Sequence, residues 1–222
     1  MRSGERTLTP TEAAAVYDRV GRWQDTQAFY ERAAVDDLVR TAELEKAQRV
    51  LEVGCGTGAL AARLLARTLP PTARYLGLDV SARMVALTRD RLRAWADRAE
   101  VRQIDGSGPW PVDDASYDRV VATYVLDLLP ADGVDRFFAE AGRALADGGV
   151  VAVTSLAPGE AGLPRVVSTA WTRLWRTSPH LTGGCRPIDV AAHVPSGWRS
   201  TSTRRTRFGI TSQVVVATPG AG

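Results

Sequence analysis

Three acids and three glycines are the residues of this chain best spaced to do chemistry together. Val50-Leu51-Glu52-Val53 is an apolar, β-prone run carrying one acid, and it breaks at once into Gly54-Cys55-Gly56-Thr57-Gly58. Glycines there let the backbone turn sharply and approach a ligand with no Cβ in the way. The helical pattern behind them, Ala59 to Leu69, would aim its first amide groups at whatever the loop holds. Two further apolar runs close on acids, Arg74 to Asp79 and Glu100 to Asp105. A carboxylate has two oxygens and about four acceptor sites, so Asp79 can take both hydroxyls of a ribose and would repel a 2′-phosphate. Asp105 can accept from an adenine amino group while the amide of Gly106 donates to the ring. The pattern predicts a nucleotide-cofactor site at the carboxyl ends of parallel strands.

The elements that must position these residues alternate strictly. Strands are predicted over 49–53, 74–79, 100–105, 117–124 and 150–155. Helices are predicted over 59–69, from Ser81 as N-cap to about Trp95, and over 131–145 with a stop at Gly148-Gly149. Such alternation gives a parallel sheet with helices on both faces. Residues 199–207 and 210–218 read as two strands joined by Phe208-Gly209, an antiparallel hairpin. Before the first strand, Thr9-Pro10-Thr11-Glu12 is a capping box opening a helix to about Val20, and Gly21 separates it from a second helix reaching Leu44. Residues 157–193 read as helical, broken at Pro158, Pro164, Pro179 and Pro187. The expected organisation is a single domain over 1–222. It comprises an N-terminal helical lid (1–47), a cofactor-binding core (48–156), a substrate-side helical insertion (157–198) and the terminal hairpin (199–218).

The glycines alone leave the cofactor open, because Gly54, Gly56 and Ala59 also satisfy the G-x-G-x-x-[G/A] fingerprint of nicotinamide and flavin enzymes. Asp79 would serve either cofactor; Asp105 separates them. With Glu52 at the strand end, G-x-G-x-G in the loop and acids after strands two and three, the chain resembles the class I S-adenosylmethionine-dependent methyltransferases from about Thr11 to Thr218. The resemblance implies a Rossmann-like, seven-stranded, mostly parallel α/β sheet with a C-terminal antiparallel hairpin whose last strand lies beside strand five. It implies S-adenosylmethionine as cofactor, held by Glu52, Gly54, Cys55, Gly56, Asp79, Val80, Met84, Asp105, Gly106 and Thr123. Val16-Tyr17-Asp18-Arg19 and the Asp-x-Ser-x-x-Met turn are similar to the small-molecule branch that includes quinone-biosynthesis enzymes. A catalytically silent cofactor-binding partner protein and, further off, a nicotinamide-dependent oxidoreductase are the alternatives.

Methyl transfer from a sulfonium needs alignment first and a general base only where the acceptor must lose a proton. The candidates are Asp127, just beyond strand four, and His180 in the insertion, with Tyr17 and Trp23 over the methyl-bearing end. Asp127 could equally serve a neighbouring helix end, and His180 could be an exposed loop residue.

After strand four the chain reads Ala122-Thr123-Tyr124-Val125-Leu126-Asp127, without the Asn/Asp-Pro-Pro-Tyr/Phe motif of amino-methylating nucleic-acid enzymes, and neither Cys55 nor Cys185 follows a proline. A nucleic-acid acceptor is therefore not expected, and the aromatic content of 157–193 and the N-terminal helices points to an apolar or ring-bearing small molecule. The formal charge of +3 is small, and two cysteines make no disulfide framework and no zinc site. No run approaches the roughly 20 apolar residues of a membrane helix, and 1–12 lacks the apolar core of a secretory signal, so a cytoplasmic protein without stable membrane insertion is expected. Arg199, Arg204, Arg205 and Arg207 read as charge blunting an edge hairpin. Oligomeric state is not legible.

Overall fold

A computed structural model describes residues 12, 28–178 and 182–220. The expected helix from Pro10 to Val20, with Tyr17, and also Trp23 and His180, lie outside the described residues, apart from Glu12, which is helical. The described chain begins with α1 (Ala28–Thr41) and a 3-10 turn, then runs β1 (Arg49–Val53), α2 (Ala59–Arg67), β2 (Arg74–Asp79), α3 (Ala82–Arg91) and β3 (Ala99–Gln103). It continues through β4 (Tyr117–Thr123), a 3-10 turn at Leu126–Leu128, α4 (Ala131–Ala144), β5 (Leu145–Ala157), α5 (Gly162–Thr177), a 3-10 turn at Val190–His193, β6 (Arg199–Arg207) and β7 (Ile210–Thr218).

The seven strands form one sheet in the order β3-β2-β1-β4-β5-β7-β6. The first five are parallel, while β7 pairs antiparallel with both β5 and β6. The strand order reverses between β1 and β4, so the two strands part at their carboxyl ends and leave a crevice there. Side chains alternate across the sheet with period two. Val50, Tyr75, Val101, Val121 and Ala152 meet the helices α1, α2 and α3 on one face. Leu51, Leu78, Val120, Val151 and Val215 meet α4 and the 188–198 segment on the other.

Local chemistry explains the boundaries. Ser81 caps α3 by accepting from the Met84 amide at 3.1 Å. Phe208 and Gly209 both have positive φ, 51° and 80°, as a two-residue hairpin turn with the twist of its strands requires. Two expectations are corrected. Helix α4 ends at Ala144, one residue short of the expected Leu145, and β5 begins at Leu145, not at Val150, because Leu145 already pairs with Tyr117, so Gly148-Gly149 lies within the strand. Pro164 does not break the insertion, since it sits in the first turn of α5, where its missing amide has no intrahelical acceptor anyway. Two of the hairpin arginines have partners inside the chain. Arg205 bridges to Asp37 of α1, and Arg204 to Glu160 at 3.1 Å and Asp189 at 3.2 Å.

Phe138 is the densest point of the second face: fully buried, it meets Phe137 and Trp198 edge-to-face at 5.6 and 6.0 Å. Truncation there leaves a cavity that rigid neighbours cannot fill. Phe138→Ala is expected to cost about 3–5 kcal/mol of stability, read from urea denaturation; a loss under about 1 kcal/mol would mean the face repacks freely.

Candidate active site

A cavity of about 580 Å³ opens where the switch in strand order predicts a crevice. Its floor is the loop after β1, with Gly54 and Gly56; one side is β2's end, with Asp79, Val80 and Met84. The remaining walls are Gly106 to Trp110, Thr123 to Val125 after β4, and the start of α4 with Phe137. The structure thus brings together Gly54, Gly56, Asp79, Val80, Met84, Gly106 and Thr123 from the expected set.

The glycine loop is held open by its own backbone. Gly54, Gly56 and Gly58 have φ of 72°, 53° and 72°, a region L-residues avoid. Gly54 also has no room: a Cβ would lie 2.3 Å from Cγ2 of Val125. The Gly54 and Cys55 amides both donate to the Leu78 carbonyl, at 2.7 and 3.1 Å, and Thr88 Oγ1 donates to the Gly56 carbonyl at 2.6 Å.

Asp79 is the hub. One carboxylate oxygen accepts from the Gly56 amide at 2.8 Å, the other from the Ser81 amide at 2.9 Å. These two bonds fix the orientation of the carboxylate, and the residue lines the cavity. The donor set suits an adenosine without phosphates. The wall offers a carboxylate for ribose hydroxyls, apolar Val80, Met84 and Ile104 for a ring, and the small residues Gly106 to Gly108 beside them. Arg136 is the only cation that lines the cavity among the described residues.

Three expected contacts are placed elsewhere, each for a physical reason. Glu52 is buried behind the loop on the sheet face opposite Val53, where its carboxyl accepts from the Tyr75 hydroxyl at 2.7 Å. Burial pushes its pKa up to about 8, with Asp79 adding to the rise. The Cys55 side chain is also buried, against the space that Gly77 leaves, and burial raises its thiol pKa. Asp105 is exposed and turns back on its own loop, accepting from the Ser107 and Gly108 amides at 2.9 and 3.2 Å. Those amides hold its carboxyl below the usual range. It shapes the loop that lines the cavity instead of lining it.

Asp127 is fully buried as well, and it is absent from the walls although Val125 and Leu128 belong to them. Among the described residues neither of its carboxylate oxygens has a hydrogen-bond partner of good geometry; burial pushes its pKa up to about 7, against the opposing pull of the nearby Leu156 amide, Arg186 and the Ser155 hydroxyl. Tyr124, Trp110 and Phe137 are wall residues that the sequence reading did not select. Tyr124 has φ 55° at the end of β4, an unusual conformation for a bulky residue, and its hydroxyl lies 2.8 Å from Ser212 Oγ. Trp110 meets Phe137 edge-to-face at 5.4 Å, and its amide donates to Glu140 at 2.7 Å. Aromatics after strand four and in a proline-rich loop carried the only available signal.

Glu52 yields a pH prediction. Its pKa is near 8 folded and 4.5 as an ordinary side chain. The native state therefore holds a proton that the unfolded chain releases across that window. The stability this proton confers is complete below the lower value and is lost as pH rises through the upper one, by at most about 1.4 kcal/mol per pH unit. Glu52→Gln removes that slope. Thermal melts should show the variant gaining on the parent between about pH 5 and pH 9; a gap constant with pH would contradict a buried neutral acid.

The family description "Methyltransferase domain" matches residues 50–149. The chain is 38% identical over 111 residues to a malonyl-[acyl-carrier protein] O-methyltransferase of Geobacter sulfurreducens, covering 50% of this chain and 39% of that one. It is 31% identical over 151 residues to the 27-O-demethylrifamycin SV methyltransferase of Amycolatopsis mediterranei, covering 64% and 53%. The chain thus spans about two fifths to a half of the length of these curated relatives. Among solved structures, the [4+2]-cyclase SpnF superposes with a TM-score of 0.71 at 18% identity, over 99% of this chain and 100% of that one. The DhpI–SAH complex does so at 0.61 and 19%, over 94% and 95%. These two share the fold. The glycine loop and the Asp79 hub lie inside the stretch that the methyltransferase-domain description matches, residues 50–149, and the two curated relatives are both named as methyltransferases.

Proposed function

We propose that this chain transfers a methyl group from S-adenosylmethionine to a small-molecule acceptor by in-line displacement. The observation that carries the reading is the Asp79 carboxylate, lining the cavity while it fixes the amides of Gly56 and Ser81. When bound, the cofactor supplies an electrophilic methyl with its own leaving group. The chain's part is placement. Asp79 would hold the ribose, Val80, Met84 and Ile104 the adenine, and Gly54 and Gly56 the amino-acid end. Water exclusion falls to Trp110, Phe137, Leu128 and Leu129, which close the opposite wall. Holding donor and acceptor in line in a dry site supplies up to roughly 7–11 kcal/mol of a barrier. The apolar walls favour an apolar or ring-bearing acceptor. A soluble, cytoplasmic setting fits the same reading, and among the described residues no helix is long and apolar enough to cross a membrane.

Asp127 is given a packing role in this proposal, because its carboxyl is sealed behind the wall. Asp127→Asn should then keep turnover within about tenfold, where a general base would cost about 10²–10⁴-fold. Tyr17 and His180 are left as candidates for covering the acceptor and taking its proton.

The fold hosts other chemistry, as a cyclase neighbour illustrates, so the methyl transfer itself must be measured. Calorimetry should show binding of S-adenosylmethionine and adenosylhomocysteine, and none of NAD. Asp79→Ala should weaken adenosylhomocysteine by on the order of 1.5–3 kcal/mol, the scale of hydrogen bonds to a charged group. Labelled S-adenosylmethionine offered with a metabolite extract should label a small molecule. Cofactor binding with no labelled product would turn the reading to a silent partner protein, and NADH binding without S-adenosylmethionine binding would overturn it altogether.

A further inference from the structure

Helix α5 carries two faces of different use. Its inward face is fixed by two tryptophans: Trp175 is buried and its Nε1 donates to the Gly184 carbonyl at 3.1 Å, while Trp171 Nε1 donates to the Cys185 carbonyl at 2.9 Å. The Arg186 guanidinium sits 5.5 Å from the Trp175 ring centre and completes that anchor. The rotation of the helix is therefore set. It turns outward Leu163, Val166, Ala170 and Leu174, of which Leu163 and Val166 are each 65% exposed and Leu174 45%. At 100° per residue these positions share one arc about 80–100° wide, the stripe of an amphipathic helix, but directed away from the core. The hairpin turn extends the stripe, since Gly209 abuts Leu163 and Val167 and its neighbour Phe208 is 76% exposed.

The charges on this helix are all of one sign, and at the same 100° per residue Arg173 borders the Val166 edge of the stripe, while Arg176 and Arg165 follow on that flank about 120–140° from its centre. Arg165, Arg173 and Arg176 are exposed on the same helix, and from Ala161 to Ile188 the chain has no acidic residue. Among the described residues, Arg165 and Arg173 have no ion-pair partner, although Arg204, close by in the hairpin, binds both flanking acids, Glu160 and Asp189.

We infer that the outer face of α5 docks on an anionic lipid surface, lying in the interface without crossing it. A helix that is apolar on one side and basic on the adjoining flank, with no acid to oppose the approach, suits an apolar layer bordered by anionic headgroups, and Arg173 sits at the level where a half-sunk helix would meet the phosphates. The helix lies after the carboxyl end of β5, on the sheet edge that also holds the cavity.

The test uses the purified full chain and vesicle sedimentation, which does not depend on methyl transfer. Vesicles of phosphatidylglycerol and phosphatidylcholine in equal parts should carry the protein down, vesicles of phosphatidylcholine alone should not, and added salt should weaken the binding. Leu163→Glu with Val166→Glu, and separately Arg165→Glu with Arg173→Glu, should each reduce binding at least about tenfold, the scale set by two basic residues near a charged surface. All four positions are exposed, and unchanged melting and adenosylhomocysteine binding would show that the variants fold. Failure to sediment with the mixed vesicles, or equal binding by the folded variants, would overturn the inference. So would a parent dimer that the Leu163/Val166 pair of changes turns into monomer, which would give the stripe to a second copy of the chain.

Discussion

The carboxylate of Asp79 joins two loops, one through each of its oxygens. One oxygen holds the Gly56 amide in the loop after β1, and the other holds the Ser81 amide at the entrance to α3. Ser81 in turn caps α3, and Thr88, about two turns further along that helix, donates back to the Gly56 carbonyl. The glycine loop is thus clamped from both its amide and its carbonyl by a single neighbouring strand–helix unit. A loop built from residues at positive φ would be costly to hold in one shape by its own torsions, because glycine loses the most freedom on ordering. Here the neighbouring unit supplies the order, and the cavity inherits a rigid floor.

That clamp explains what sequence alone made legible. The strands β1, β2 and β4 and the parallel sheet follow from apolar runs, acids and glycines in strict alternation, and the structure reproduces β1 and β2 residue for residue. Gly54, Gly56 and Asp79 are legible because their roles belong to the backbone: a turn, a close approach, and a carboxylate that two amides demand. Glu52 and Asp105 show where such reading stops. Both end apolar runs, as Asp79 does, yet the pleat sends Glu52 behind the loop to Tyr75, and the Ser107 and Gly108 amides capture Asp105 locally. Spacing along a chain fixes which strand end an acid occupies. It does not fix which face the side chain takes or which nearer donor competes for it.

The carboxyl edge of the sheet divides into two halves with different constraints. On the cofactor side, from β3 to β1, the polar groups are engaged by backbone amides and leave little latitude in sequence. On the β4–β5 side the fold buries polar atoms with little pairing of good geometry among the described residues, as in both oxygens of Asp127, Ser155 Oγ and Thr154 Oγ1. Unpaired buried acceptors cost more than they contribute, and a neutral carboxyl costs less than a charged one, in line with the upward shift of Asp127. This half meets the insertion and the hairpin, where loops carry specificity while the scaffold stays constant. Tyr124 stands on the seam between the halves. Its positive φ turns the chain out of β4 toward the cavity while its hydroxyl reaches Ser212 on β7. The strained residue thus couples the end of β4, which shapes the cofactor floor through Val125 against Gly54, to the antiparallel strand that borders the insertion. A shift of the hairpin would reach the cavity by that route. The antiparallel extension of the sheet is therefore part of how the cavity is shaped.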